Sequence, residues 1–426
     1  MRHSRREFLR AGSASIAAAA LGGIGSCAGL PDRGPKVVVV GGGFAGATAA
    51  KYVRKWSEGR IGVTLVERGN AFVSCPLSNL VLGGSRQIAD LTISYDGLDK
   101  WGVRRATDEA LAIDPAARTV RLSGGTTLPY DRLILAPGID FMWDAIPALA
   151  SREAQEKILH AWKAGAQTIA LRRQLETMSD GGVFVMHIPK APYRCPPGPY
   201  ERACQVAFYF STQKKKSKVI ILDANDDVVS KKGVFTAAWN GRYKGYVEYR
   251  PNSGLVDVDV ATLTAKLDFD NVKADVLNII PPQHAGAIAR ALGMANANGR
   301  FCQVEFLSFE STAQRNIHVV GDATQNAQLM PKSGHMANQH AKVCAAAVVA
   351  LLSGGDVNQT PVIANTCYSY IDDKEVAHVA SVHRYDPDKK TMSVVTGSGG
   401  LSPAPSVQET IYADAWARNI WADMLA

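Results

Sequence analysis

The stretch KVVVVGGGFAGATAAKYV, residues 36 to 53, decides the fold. Four consecutive valines, Val37 to Val40, show no polar alternation, which is the pattern of a strand buried on both faces. Gly41, Gly43 and Gly46 then fit GxGxxG, and the alanine-rich run that follows predicts a helix. A second strand over IGVTLVE ends at Glu67, 21 residues after Gly46. Strand, glycine turn, helix, strand and acid form a βαβ unit for a dinucleotide. The glycines admit a pyrophosphate close to the backbone, the helix N-terminus faces its charge, and Glu67 is placed for a ribose hydroxyl. FAD and NAD share this arrangement, so it does not choose between them.

Working outward, YDRLILAPG (130–138) reads as a strand entering a small-residue turn at Gly138, and NIHVVGDAT (316–324) as another strand, ending at Gly321-Asp322-Ala323. Between them lie two further strand-like runs, GGVFVMHIP (181–189) and KVIILD (218–223). A second glycine loop belongs between these two. The chain has KAPYRCPPGPYERAC there instead. Three of its four prolines, Pro196, Pro197 and Pro199, flank Gly198, fix φ and remove backbone donors, and Gly198 cannot replace three glycines. The loop is poorly suited to a pyrophosphate, so a reductant other than NAD(P)H is expected.

Composition sets the outer bounds. With 426 residues, 46% apolar and 20% charged, the chain has the make-up of an ordinary globular protein of two or three domains. Four arginines against one glutamate in residues 1–28 leave about +5 of the total +8 for the rest. Clusters such as Lys214-Lys215-Lys216 are short and lack interleaved aromatics, so nucleic acid is not an expected partner. SRREFLRAG followed by SASIAAAALGGIG has the form of a twin-arginine export signal headed by Arg5-Arg6, over residues 1–28. This route carries folded, cofactor-loaded proteins and implies a periplasmic location. SCA (26–28) reads as a peptidase site; IGSC also resembles a lipobox that would leave a lipid on Cys27. Simple cleavage is the preferred reading. No run reaches 18 apolar residues, so no transmembrane segment is expected.

Export changes the meaning of the six cysteines beyond Cys27: Cys75, Cys195, Cys204, Cys302, Cys344 and Cys367. In an oxidising compartment they can pair, in any of fifteen full connectivities. CxxC, CxxCH and cysteine–histidine metal spacings do not occur, so neither haem nor a metal site is expected on this chain.

Four stretches carry a specific likeness: SCPLSNLVLGG (74–84), YRCPPGPYERA (193–203), MPKSGHMANQHAKVCAAAVV (330–349) and NTCYS (365–369). Together they resemble the flavoprotein subunit of flavocytochrome c sulfide dehydrogenase, within the glutathione-reductase-like FAD enzymes. The resemblance runs over nearly the whole chain after the signal. It implies FAD, with Asp322 on the ribityl chain and Cys75 covalently joined to the flavin 8α-methyl group. Pro76 after that cysteine and Pro137 before Gly138 depart from the family pattern. It also implies a redox-active disulfide between Cys195 and Cys367 beside the flavin; a purely structural crosslink is the competing reading, worth about 5 kcal/mol for so long a loop. Glu201 resembles a family acid that moves protons, or else forms a surface ion pair with Arg202 or Arg194. Lys332 is a weaker candidate for positive charge near the site. Trp416 aligns with a family tryptophan, although aromatics at helical spacing are more often core. Cys204, Cys302 and Cys344 read as packing thiols.

The fold implied is α/β, with two Rossmann-like domains and a smaller C-terminal α+β domain. The ranges are 35–150 with 290–355 for FAD, 151–289 for a degenerate NAD-like domain, and 356–426 for contact with a c-type cytochrome subunit that carries the haem in a heterodimer. The implied activity is oxidation of sulfide to sulfur or polysulfide. The alternatives are a sulfide:quinone oxidoreductase, an NAD(P)H-dependent disulfide reductase, and a non-catalytic flavoprotein carrier. The tail ETIYADAWARNIWADMLA is amphipathic, with Ile411, Tyr412, Ala415, Trp416 and Ile420 on one side.

Overall fold

A computed structural model of the chain describes residues 34–426. The expected export signal with Arg5-Arg6, and Cys27, lie outside the described residues. The valine run forms the strand Lys36–Val40 at the centre of a seven-stranded sheet. Gly62–Val66 and then Arg104–Ala106 pair parallel on one side of it, and Arg132–Leu135 and then Ile317–Val319 on the other. Two short antiparallel strands, Val304–Glu305 and Glu310–Ser311, complete that edge. The helix Phe44–Trp56 leaves the glycine turn and packs on the long helix Gly334–Ser353, where Asn338 Nδ2 donates to Thr48 Oγ1 at 3.0 Å. All four valines are buried, as a central parallel strand requires.

A second sheet is wholly parallel: Val247–Arg250, Lys218–Asp223, Val183–Ile188 and Val276–Ile279. The helix Gly198–Gln213 follows the proline loop into this layer. The strands Ile139–Phe141 and Gln283–Ala285 pair antiparallel where the chain passes from the first layer to the second and back. The third layer is antiparallel, built from Val362–Tyr370, Val376–Asp386 and Thr391–Val394, with Gly400–Leu401 paired to the middle strand. It ends in the helix Val407–Leu425. The α/β class, with two Rossmann-like sheets and a smaller mixed layer, is the one expected from the sequence.

On the apolar side read for the terminal helix, Ile411 and Tyr412 are 58% and 52% exposed. The buried positions are Ala413, Ala417, Ile420, Met424 and Leu425. Ala413 and Ala417 pack among Leu77, Leu80, Val81 and Tyr370, and the end of the helix is bonded to the first Rossmann helix. Lys51 Nζ donates to the Ala422 carbonyl at 3.0 Å, Tyr52 Oη to Asp423 at 2.5 Å, and Asn338 Nδ2 to the same carboxylate at 2.8 Å. Among the described residues no helix is long and apolar enough to cross a membrane.

Candidate active site

One cavity of about 360 Å³ gathers the residues singled out above. Gly43, Glu67, Cys75, Gly138, Cys195, Glu201, Asp322, Lys332, Cys367 and Trp416 all line it, drawn from all three layers.

The glycine turn forms its floor. Gly41 has φ +98°, and a Cβ there would stand 2.4 Å from the Ala136 carbonyl oxygen; on Gly46 it would stand 1.7 Å from that of Gly41. Both positions are therefore forced by backbone against backbone. A Cβ on Gly43 would meet nothing within 4 Å, so this glycine borders open space. Glu67 Oε2 accepts from the Gly42 amide at 2.6 Å and Oε1 from the Gly69 amide at 2.9 Å, which fixes the carboxylate at the strand end. Asp322 sits in the turn after Ile317–Val319 and faces the same space. Open backbone at Gly43, a fixed acid at Glu67, and Gly138 and Asp322 along the same cavity fit an adenine dinucleotide with a flavin end.

The second sheet lacks such a floor, for positive reasons. The Gly198 amide donates to the Cys195 carbonyl at 2.9 Å, Pro199 has no amide hydrogen, and the Glu201 amide donates to the Pro197 carbonyl at 3.1 Å. Asp223 ends its strand where a ribose acid would stand. It is fully buried and accepts from Tyr200 Oη at 2.7 Å, Tyr249 Oη at 3.1 Å and the Asn225 amide at 2.9 Å. Tyr200, Phe235, Trp239 and Tyr249 fill the neighbouring space with ring contacts.

The proline loop is instead built around a thiol. Cys195 adopts φ +55°, a left-handed conformation that costs a non-glycine residue of order 1 kcal/mol. Its amide donates to the Lys332 carbonyl at 2.7 Å. A Cβ on Gly198 would come within 2.8 Å of both Cys195 Sγ and Trp162 Cη2. The single glycine of the loop thus makes room for sulfur rather than for phosphate. Burial pushes the Cys195 thiol well above its ordinary range, and the charges of Cys367 and Glu201 push the same way.

Cys367 comes from the middle of the strand Val362–Tyr370, paired opposite Val379. Asn365 Nδ2 donates to its sulfur at 3.4 Å, and Ser333 Oγ orients that amide by donating to Oδ1 at 2.6 Å. Cys195 and Cys367 are both free thiols here. The crosslink expected from the resemblance is therefore not formed in this structure. The Lys332 carbonyl holds the backbone of Cys195, and Asn365 holds the sulfur of Cys367.

Cys75 is also free and half-buried. It lies in the loop before the helix Ser78–Gly83, where Ser78 Oγ donates to its carbonyl at 2.6 Å. Arg194 Nη2 donates to Cys75 Sγ at 2.6 Å and to the Trp162 carbonyl at 2.6 Å. Pro76 does not draw this sulfur away from the cavity, which Cys75 lines.

Glu201 is not on the surface. It is 8% exposed in the first turn of its helix, and Oε1 accepts from the Tyr370 amide at 3.3 Å. Burial pushes its carboxyl upward, with Lys231 the largest opposing influence. The ion pairs considered from sequence do not form: Arg202 donates to Asn79, Asn278 and the carbonyls of His160 and Ala161, while Arg194 serves Cys75. Lys332 lines the cavity, yet its ammonium turns to the carbonyls of Asp322 and Thr324 and lies 3.8 Å over the Phe301 ring. Its main chain, not its charge, touches Cys195. Trp416 stands beside Tyr368 and His335, with ring centroids 6.0 and 5.9 Å apart.

Sequence reasoning missed Arg194 and Lys231. Arg194, adjacent to Cys195 in YRCPP, could have been flagged as a charge beside a thiol. Lys231 reads as one of a surface pair, SKKG, and carries no signal. Cys204, Cys302 and Cys344 are buried core thiols. Among the described residues no group of three or more His, Cys, Asp or Glu could hold a metal ion.

Residues 168–281 match the family model described as the central part of the sulfide dehydrogenase [flavocytochrome c] flavoprotein chain. Residues 359–425 match flavocytochrome c sulphide dehydrogenase, flavin-binding, and 35–173 match pyridine nucleotide-disulphide oxidoreductase. Over 46 residues the chain is 63% identical to the flavoprotein chain of sulfide dehydrogenase from Chlorobaculum thiosulfatiphilum, covering 94% of that short relative and 11% of this chain. The chain belongs to the flavocytochrome c sulfide dehydrogenase flavoprotein family. Its FAD-binding character follows, and the third layer, matched as flavin-binding, supplies the Cys367 wall. This flavoprotein chain is also 21% identical to the mitochondrial sulfide:quinone oxidoreductase of Mus musculus over 68% of its length, and spans 65% of that relative. The sulfide:quinone oxidoreductase of Aquifex aeolicus shares its fold, with TM-score 0.72, 18% identity, and 92% and 91% of the two chains covered.

Proposed function

We propose that this flavoprotein chain oxidises hydrosulfide at a redox couple formed by Cys195 and Cys367, with FAD tethered by Cys75 and electrons passed to a c-type cytochrome subunit. What supports the reading is one cavity lined by all three sulfurs, Glu201 and the dinucleotide floor. In the oxidised couple hydrosulfide attacks one sulfur: HS⁻ adds, the S–S bond breaks, one cysteine becomes a persulfide, and the other leaves as thiolate with unchanged total charge. Glu201, buried and raised, holds a proton for the sulfur that must be neutralised. Arg194 holds the Cys75 sulfur in place at the cavity wall, together with the Ala164 amide. Gly43, Glu67, Gly138 and Asp322 would hold FAD, which when bound supplies a two-electron acceptor able to release electrons singly. The tail layer, 356–426, is the surface offered to the cytochrome, and export through the twin-arginine signal would put the complex in the periplasm.

The test is an anaerobic sulfide titration of the exported, FAD-loaded protein. Wild type is expected to bleach. Cys195→Ser and Cys367→Ser are expected to stay yellow and lose sulfide-driven bleaching at least a hundredfold. Undiminished bleaching in both variants would overturn the assignment. A quinone acceptor is the second reading, favoured by the fold shared with the Aquifex aeolicus enzyme. Reoxidation of the reduced protein by a quinone in vesicles, but not by cytochrome c, would select it.

A further inference from the structure

Behind the two sulfurs lies a buried lysine that the mechanism above does not use. Lys231 is only 5% exposed and takes φ +54° at the start of the helix Lys232–Asn240. Its ammonium donates to the Cys367 carbonyl at 2.6 Å, Ser369 Oγ at 2.8 Å and the Ala377 carbonyl at 3.1 Å. Three fixed acceptors leave it no rotamer freedom, and no carboxylate touches it. Its next neighbour, Lys232, is by contrast an exposed lysine paired with Asp227 at 2.5 Å. A buried ammonium of this kind costs several kcal/mol unless negative charge stands nearby.

The charges facing Lys231 come from every element packed around it. Cys367 is the strongest, from the third-layer strand; then Glu201, from the helix after the proline loop; then Cys195, from the loop itself; and Glu409, from the terminal helix. Glu409 is occupied, accepting from Ser402 Oγ at 2.6 Å and contacting His378 Nδ1 at 3.0 Å. Arg194 faces Cys195 from the other side. The groups left to balance Lys231 are therefore Glu201 and whichever sulfur is anionic.

We propose that Lys231 is a positioning residue that holds the anionic sulfur of the reduced couple at Cys367, with Glu201 as its counter-ion and as proton donor to Cys195. The inference rests on the reading of Cys195 and Cys367 as a redox couple. In the oxidised protein Lys231 is an ammonium and Glu201 carries a proton. Two electrons from a dithiol reductant, whose two protons go to solvent as it closes to its own disulfide, break the S–S bond. The Glu201 proton passes to Cys195, whose burial disfavours charge, and Cys367 remains a thiolate beside the ammonium. One dianionic increment enters and two single negative charges result, on Cys367 and Glu201, both facing Lys231. Burial lowers the affinity of Lys231 for its own proton, and Cys367 and Glu201 restore it. The ammonium is thus held more firmly once Cys367 and Glu201 carry charge, which couples it to the state of the sulfurs.

The test uses the full-length FAD-loaded protein reduced with dithiothreitol, so that it does not depend on sulfide. Iodoacetamide labels Cys367 as thiolate, and peptide mass gives its rate against pH. Lys231→Met is expected to raise the midpoint of that profile by at least one pH unit, with about a tenfold slower reaction at pH 7. Lys231→Arg is expected to restore most of the rate. Glu201→Gln keeps an acceptor for the Tyr370 amide and is expected to lower the midpoint. A folded Lys231→Met protein with an unmoved profile would overturn the inference. Should that variant fail to fold, an unmoved profile in Glu201→Gln overturns it equally. A shifted profile without sulfide bleaching would defeat the sulfide assignment alone; bleaching with unmoved profiles would defeat the lysine alone.

Discussion

Gly198 is the position where the chemistry of the site is most tightly written into one residue. A methyl group there would sit 2.8 Å from Cys195 Sγ and from the Trp162 ring, and neither can retreat freely. Gly198→Ala is expected to destabilise the protein by about 1–3 kcal/mol and to slow alkylation of Cys195, while FAD stays bound. Equal alkylation rates and melting temperatures would contradict this. Cys75→Ser addresses the tether: flavin that stays with acid-precipitated wild type is expected in the supernatant of the variant. Flavin released equally from both would show that Cys75 is no tether. At this scale the glycine turn and Glu67 were legible from their spacing, while Cys195 and Cys367 came only through the family resemblance. Lys231 was not legible, because its burial is created by the strand Val362–Tyr370, more than 130 residues away in sequence. Glu201 was named as a candidate and lines the cavity, but its surroundings were not foreseen: neighbours in sequence suggested arginines, and Arg194 in the loop and Arg202 on the helix bond elsewhere.

At the scale of the element, the second Rossmann sheet shows how a nucleotide site is dismantled. The strands keep their places, but Asp223 is committed to Tyr200, Tyr249 and Asn225. NADH is therefore expected to leave the flavin oxidised under conditions where sulfide reduces it. Rapid bleaching by NADH would refute the lost-site argument. Asp223→Ala strands two tyrosine hydroxyls in the core and is expected to cost about 2–4 kcal/mol, read from denaturant midpoints. The loss of the glycine loop was visible in the sequence as three prolines; the filling of the space was not, since Tyr200 lies on the helix that the prolines start. The terminal helix divides its apolar side differently from the pattern read in the sequence: Ala413 and Ala417 enter a cluster with Leu77, Leu80 and Tyr370, and Ile411 and Tyr412 stay outside.

For the whole molecule, the buried histidines set the acid limit of stability. His187 is enclosed in the second sheet with neither ring nitrogen bonded, and burial pulls it down to about 4. Burial likewise holds His160 and His340 down to about 3. The unfolded chain binds these protons near pH 6.5, the folded chain only near pH 3–4. Their stabilising contribution is therefore complete above about pH 6.5 and lost as the pH falls toward 4, by roughly 3 kcal/mol for each fully buried ring. The melting temperature is expected to be level above pH 7 and to fall steadily between pH 6.5 and 4. His187→Leu is expected to flatten part of that slope; an unchanged slope would remove His187 from the account.

The three layers meet at one place, and the meeting of two remote sulfurs there carries the functional reading. Digestion of the FAD-loaded protein without reductant, before and after mild oxidation with diamide, tests it most directly. The account expects a single linked pair of peptides containing Cys195 and Cys367, opened by one equivalent of sulfide to one persulfide and one thiol, both of them alkylatable. A link from Cys195 to Cys75, or no link to Cys367 after oxidation, would contradict it.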